Sequence, residues 1–159
     1  MKNGDHCQCQ SECKTKRCAC LKAGRPCGSQ CKCQNCSNPF NSIENPDQLS
    51  DCARDNIKKI ATISAINLEK LYELPCRCAP VPLKSLLEDY ECQSCDEPYY
   101  YSFCLGEVMD TNSMWHCQIC RTCSDDGVWH CKNCNRCTYG LTLSCEHCGK
   151  RSSYRSQGK

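Results

Sequence analysis

Twenty-three cysteines in 159 residues carry the chemistry of this chain. Nine fall in the first 36 residues: Cys7, Cys9, Cys13, Cys18, Cys20, Cys27, Cys31, Cys33 and Cys36. Three pairs are Cys-x-Cys (Cys7/Cys9, Cys18/Cys20, Cys31/Cys33), set in basic, small-residue stretches such as CKTKRCAC and CLKAGRPCGSQCKCQNC. Almost nothing apolar lies between them, so sulfur must hold this stretch, as disulfides or as thiolate–metal bonds. A Cys-x-Cys pair is too close to form an unstrained disulfide with itself, whereas both thiolates can sit on one metal cluster. Zinc takes four ligands and favours thiolate. Nine sulfurs are not a multiple of four, and three zincs need twelve bonds. Three sulfurs must then bridge two metals, which predicts one compact three-zinc cluster rather than separate fingers.

The metal signature returns at residue 76. Cys76 and Cys78 form another Cys-x-Cys pair, and Cys92 and Cys95 follow as a CxxC knuckle. Cys104 is a further candidate ligand without an assigned partner. A repeat with a period of 14 then begins: Trp115-His116-Cys117-x-x-Cys120-x-x-Cys123 recurs as Trp129-His130-Cys131-x-x-Cys134-x-x-Cys137, and its next register gives Cys145-x-x-Cys148. Each knuckle hands two thiolates to one tetrahedral zinc, so two are needed per site and neighbouring repeats must interlock. Residues 76–148 hold 13 Cys and three His, enough for three or four more zincs. His130 is a candidate ligand. The role of His116, and whether Cys145 or His147 pairs with Cys148, stay open. Cys52 stands alone and reads as a small buried apolar residue.

These ligands must be held by what lies between them. Residues 37–46 (SNPFNSIENP) read as a linker. A helix of about 25 residues is expected next, with Asn45 as cap, Pro46 in the first position and Gln48 completing a capping box. Leu49, Ala53, Ile57, Ile60, Leu68 and Leu71 recur at helical spacing, and Pro75 ends the run. Such a helix can pack as a strut or offer an apolar stripe to a partner or a second copy. The aromatic run Tyr99, Tyr100, Tyr101 and Phe103 favours a strand in a zinc-stapled hairpin.

No apolar leader follows Met1 and no long apolar run occurs, so the expectation is a reduced, metal-bound protein with no membrane contact. Formal net charge is +2, but residues 1–36 hold seven Lys/Arg against two acids and the remainder 13 against 16. Nine thiolates on three Zn²⁺ would leave the first segment at about +2. Any attraction to nucleic acid then rests on a few placed side chains rather than a broad field. No deaminase signature, phosphate loop, Ser–His–Asp pattern or paired catalytic acids is visible. The metal sites read as closed and structural, and the chain as not an enzyme.

The order CxC, x3, C, x4, CxC, x6, C, x3, CxC, x2, C over residues 5–39, with Asn38-Pro39 after it, resembles the CXC domain of tesmin-type proteins. It is most similar to the single copy in male-specific-lethal ubiquitin ligases. The resemblance implies three zincs on the nine cysteines and binding of double-stranded DNA. It also implies that Arg17, just before the second CxC pair, reaches a groove; Lys14, Lys16, Lys22, Arg25 and Lys32, which project from the turns, are candidate contacts to DNA phosphates. Residues 115–149 resemble a CTCHY-type zinc finger, without its CHY partner module or a RING. The fold class expected is a small, irregular zinc-stabilised protein: a three-zinc CXC cluster (5–39), one long helix within 40–75, a repeated CxxC zinc-ribbon-like module (76–149) and a disordered tail (150–159). The expected function is a nuclear, zinc- and DNA-binding, chromatin-associated protein whose helix or C-terminal module takes a protein partner. A homodimer is allowed, because tesmin proteins carry two CXC copies and this chain one. The alternatives are a ubiquitin-ligase subunit and a metallothionein-like metal store.

Overall fold

A computed structural model describes residues 6–152 apart from 11, 16, 44 and 64. The expected tail, beyond residue 152, and Lys16 lie outside the described residues.

The cysteine-dense N-terminal segment is loops around sulfur with a single helical turn, α1 (Ala19–Lys22). Cys18 caps it, its Sγ accepting from the Leu21 N–H at 3.5 Å. The chain then turns at Gly24, where φ is +66° and a Cβ would lie 2.7 Å from Ile57 Cδ1. Within 37–46, read as a linker, Asn38, Pro39, Phe40 and Ile43 are buried. Asn38 is buried, donating to the Arg25 carbonyl at 2.9 Å and to Cys27 Sγ at 3.3 Å, and its Oδ1 accepts from Phe40 N–H at 3.2 Å. Phe40 and Ile43 then sit in the main apolar core with Leu49, Ala53, Ile60, Leu68, Leu83 and Leu87, directly under the cysteine cluster.

The single long helix does not form. Residues 46–68 instead hold a 3₁₀ turn (Pro46–Gln48) and three short helices, α2 (Asp51–Asp55), α3 (Ile57–Ile60) and α4 (Ala65–Leu68). The longest of these has five residues. Asn45 makes no helix cap and is bonded to the Glu88 carboxylate; Ser50 starts α2 instead, its Oγ accepting from Ala53 N–H. Asn56 ends α2, with φ −104° and ψ 21°, and its side chain donates back to the Cys52 carbonyl. Polar side chains that bond their own backbone compete with helix, and the β-branched Ile57, Ile60, Thr62 and Ile63 do little to carry it through.

Strands β1 (Leu71–Tyr72) and β2 (Val81–Pro82) pair, and a 3₁₀ turn over Leu83–Leu87 follows. Strands β3 (Tyr90–Glu91), β4 (Pro98–Ser102) and β5 (Glu107–Asp110) form one antiparallel sheet. Two hairpins come after it, β6 (Met114–Cys117) with β7 (Thr122–Asp125), and β8 (Val128–Cys131) with β9 (Arg136–Tyr139).

One turn geometry recurs through this half. Asp96, Gly106, Arg121, Asn135 and Gly149 all have φ between +55° and +82°. Four of them donate their N–H to the carbonyl four residues back: Asp96 to Cys92, Gly106 to Ser102, Arg121 to Cys117 and Gly149 to Cys145, at 2.6–2.8 Å. This left-handed residue lets each knuckle curl tightly enough to aim two side chains at one point. Trp115 Nε1 donates to the carbonyls of Asp125 and Val128, joining one hairpin to the next, and Trp129 Nε1 donates to that of Gly140, just beyond β9.

Candidate metal centres

In a tetrahedral zinc–thiolate site, Zn–S bonds of about 2.3 Å place sulfurs about 3.8 Å apart. All 23 cysteines are free thiols, and the described ones gather at that spacing. Three overlapping N-terminal groups can each hold an ion: Cys7/Cys20/Cys27/Cys31, Cys7/Cys13/Cys18/Cys27 and Cys13/Cys27/Cys33/Cys36. The sulfurs of Cys7, Cys13 and Cys27 recur among these groups and form a near-equilateral triangle, with edges of 3.8, 3.6 and 3.9 Å. Cys20 and Cys31 stand 3.5 Å apart at one side of it. Cys9 neighbours Cys13 and Cys18 at another.

Four separate groups follow. Cys76, Cys78, Cys92 and Cys95 make one. Cys52, Cys104, His116 and Cys123 make the second, all their donor atoms within 4.8 Å of one another. In the third, His130 Nδ1 lies 3.5, 3.4 and 3.9 Å from the sulfurs of Cys117, Cys120 and Cys137. In the fourth, Cys131 is 3.5 Å from Cys148 and Cys134 is 3.5 Å from Cys145. Cys145, not His147, therefore pairs with Cys148. His116 enters a group, and His130 enters one beside the knuckle of the preceding hairpin. Both imidazoles present Nδ1 to sulfur because Nε2 is bonded elsewhere, His116 to Asp55 Oδ2 at 3.0 Å and His130 to Asn135 Oδ1 at 3.3 Å. A second partner of this kind fixes the tautomer of a metal-bound imidazole.

The interlock is built by register. His116 pairs with Cys123 across β6–β7, and His130 with Cys137 across β8–β9. Each cross-strand pair points out of its own hairpin toward the group before it. The CxxC at the tip of each hairpin, Cys117/Cys120 and then Cys131/Cys134, serves the group after.

Thiols this close cannot all ionise without a cation. Burial, followed by neighbouring thiols, pushes Cys13 up; burial is also the main cause at Cys27. Cys78 is pushed to about 12, first by Cys76 and then by Cys95. One thiol in a group is drawn the other way. Cys123 falls to about 4, with the Cys52 thiol as the first cause and Ser102, Tyr100 and His116 adding to it against burial. Cys145 falls to about 6 despite its burial, through the backbone N–H groups of His147 and Cys148. A divalent cation removes this conflict by letting every sulfur in a group ionise.

Sequence reasoning missed Cys52, and with it Asp55. The count held the signal: 13 cysteines in 76–148 with His116 and His130 are one donor short of four complete sites. Lys14, Arg17, Lys22 and Lys32 are exposed and Arg25 is half-buried. Lys14 is paired with Glu12. Arg17 lines a concave surface with His6, Gln8, Gln10 and Ala19. Tyr99 and Tyr100 are buried, which leaves Tyr101 and Phe103 partly accessible. Among the described residues no helix is long and apolar enough to cross a membrane.

Residues 4–40 match the family model of the Tesmin/TSO1-like CXC domain, a cysteine-rich domain; this is a non-catalytic zinc-binding family. No curated protein and no solved structure matches the chain.

Proposed function

We infer that this chain is a seven-zinc, DNA-binding nuclear protein whose N-terminal cluster reads the duplex and whose C-terminal ladder, the run of knuckles and hairpins over residues 76–148, takes a protein partner. The observation that carries the reading is the sulfur triangle of Cys7, Cys13 and Cys27 within a segment matching the CXC family. With these three as bridges, one ion takes Cys20 and Cys31, a second Cys33 and Cys36, and a third Cys9 and Cys18 as its outer ligands. Nine sulfurs then make the twelve bonds that three zincs require. The other four groups take one ion each.

The charge balance supports contact at one end. With nine thiolates and three Zn²⁺ the first 36 residues stand at +2. The remainder, with fourteen thiolates and four Zn²⁺, stands at −9. An acidic ladder is repelled by phosphate, so DNA meets the cluster alone. Arg17 beside Gln8 and Gln10 gives that face the side-chain types that suit guanine and adenine edges. Ile119, Tyr139 and Leu143, each more than half exposed on the ladder, are side chains a protein partner would cover.

The test is fluorescence anisotropy of the full chain on random duplex DNA across a salt series. Binding should weaken as salt rises, and Arg17→Ala should cost about tenfold, the value of a lost groove contact. Equal affinity with and without Arg17 would contradict the reading.

A further inference from the structure

We propose that the second C-terminal group is a metal clasp, a Cys₃His zinc site that closes only because helix α2 lends Cys52 to an incomplete hairpin. Hairpin β4–β5 has the backbone of a zinc knuckle without its thiols. Gly106 has the left-handed φ and donates to the Ser102 carbonyl, as Arg121 does to Cys117 and Asp96 to Cys92. Ser102 therefore stands where Cys92, Cys117, Cys131 and Cys145 stand in the other copies. Leu105 stands where they have Cys95, Cys120, Cys134 and Cys148. The one thiol this turn offers is Cys104. The next hairpin still sends back its cross-strand pair, His116 and Cys123, as β8–β9 sends back His130 and Cys137. That makes three donors, one fewer than a closed structural zinc needs.

The fourth comes from far away in sequence. Cys52, 1% exposed, lies 3.9 Å from Cys104 Sγ, while His116 Nδ1 is 3.7 Å from Cys104 and 3.3 Å from Cys123. These are the edges of a tetrahedron with bonds of about 2.3 Å to sulfur and 2.0 Å to nitrogen. Helix α2 contributes twice. Asp55, three residues after Cys52, holds His116 Nε2 at 3.0 Å with the imidazole side chain 2% exposed. The buried hydroxyl of Tyr100, with no nitrogen or oxygen partner among the described residues, faces Cys123 of this group as well. Ala53, between the two contributing residues, is packed in the core beneath the N-terminal cluster. The clasp therefore fastens the ladder to the element that carries the cluster. The clasp rests on the seven-zinc assignment above but not on DNA binding, so its test uses no DNA.

The test combines native mass spectrometry of the full chain with peptide mapping after iodoacetamide treatment. Cys52→Ser should lower the count from seven zincs to six and open Cys104 and Cys123 to alkylation. Cys117, Cys120, Cys131 and Cys134 should stay protected. An unchanged count, or a lost ion with Cys104 and Cys123 still protected, would overturn the proposal. If Cys52→Ser exposes every cysteine, His116→Cys decides, because it keeps four donors. With cobalt(II) in place of zinc, the chain's two Cys₃His centres should become one, seen as a shift of the d–d bands toward their Cys₄ position. A cobalt spectrum identical to that of the unsubstituted chain would overturn the proposal.

Discussion

At the scale of single residues, the decisive contacts are those made by side chains that do not themselves bind metal. Asp55 and Asn135 each hold the far nitrogen of an imidazole whose Nδ1 faces sulfur. Asp55 is the stronger orienter, because a carboxylate favours the donor tautomer at Nε2 and raises the basicity of Nδ1. Asp55→Ala is expected to weaken the ion at Cys52/Cys104/His116/Cys123 by 10- to 100-fold while leaving the other ions in place. Stepwise removal by a zinc chelator, followed by colour change, would register one ion leaving early. Release in step with the unsubstituted chain would mean that His116 needs no support. The gathering of the N-terminal cysteines into overlapping groups was legible in the sequence, because nine thiols crowded into 30 residues cannot separate into independent four-ligand sites. Cys52 was not, because its partners Cys104, His116 and Cys123 lie 52 or more residues away and no spacing rule connects them.

At the scale of elements, the two periodicities in the chain had different fates. The 14-residue repeat survives as hairpins because each copy carries its own turn geometry and its own thiols. The helical periodicity of residues 49–71 does not survive as one helix. Ser50 and Asn56 bond locally and cut it, and the pieces turn different faces outward, Ala53 and Ile60 toward the cluster and Cys52 toward the ladder. A continuous helix would fix the angle between those faces, whereas the break at Asn56 sets α2 and α3 independently. Gly24 marks where α3 meets the cluster. A methyl group there would collide with Ile57 at 2.7–2.8 Å, in a backbone conformation that already disfavours side chains. Gly24→Ala is expected to lower stability by about 1–3 kcal/mol. Thermal melts with zinc present would read this as a lower Tm, and an unchanged Tm would mean that α3 can move away from the turn freely.

At the scale of the whole molecule, metal replaces much of what a hydrophobic core does elsewhere. Among the described residues the largest apolar core runs from Cys7 to Leu87, and three smaller clusters serve the ladder, around Leu86 and Tyr99, around Tyr100 and around Trp129. Small apolar clusters of that size do not hold hairpins by themselves. The ladder should therefore lose its structure when its ions are removed, while binding energy supplied by zinc restores it. The proposed sites converge on one number: 23 cysteines and two histidines, with three sulfurs shared, would hold seven ions. Native mass spectrometry of the full chain purified with zinc measures it directly. Seven zincs, with no cysteine in a disulfide, is the predicted result. Five or fewer, or a mass showing oxidised pairs among these cysteines, would contradict the interlocked metal sites proposed for this chain.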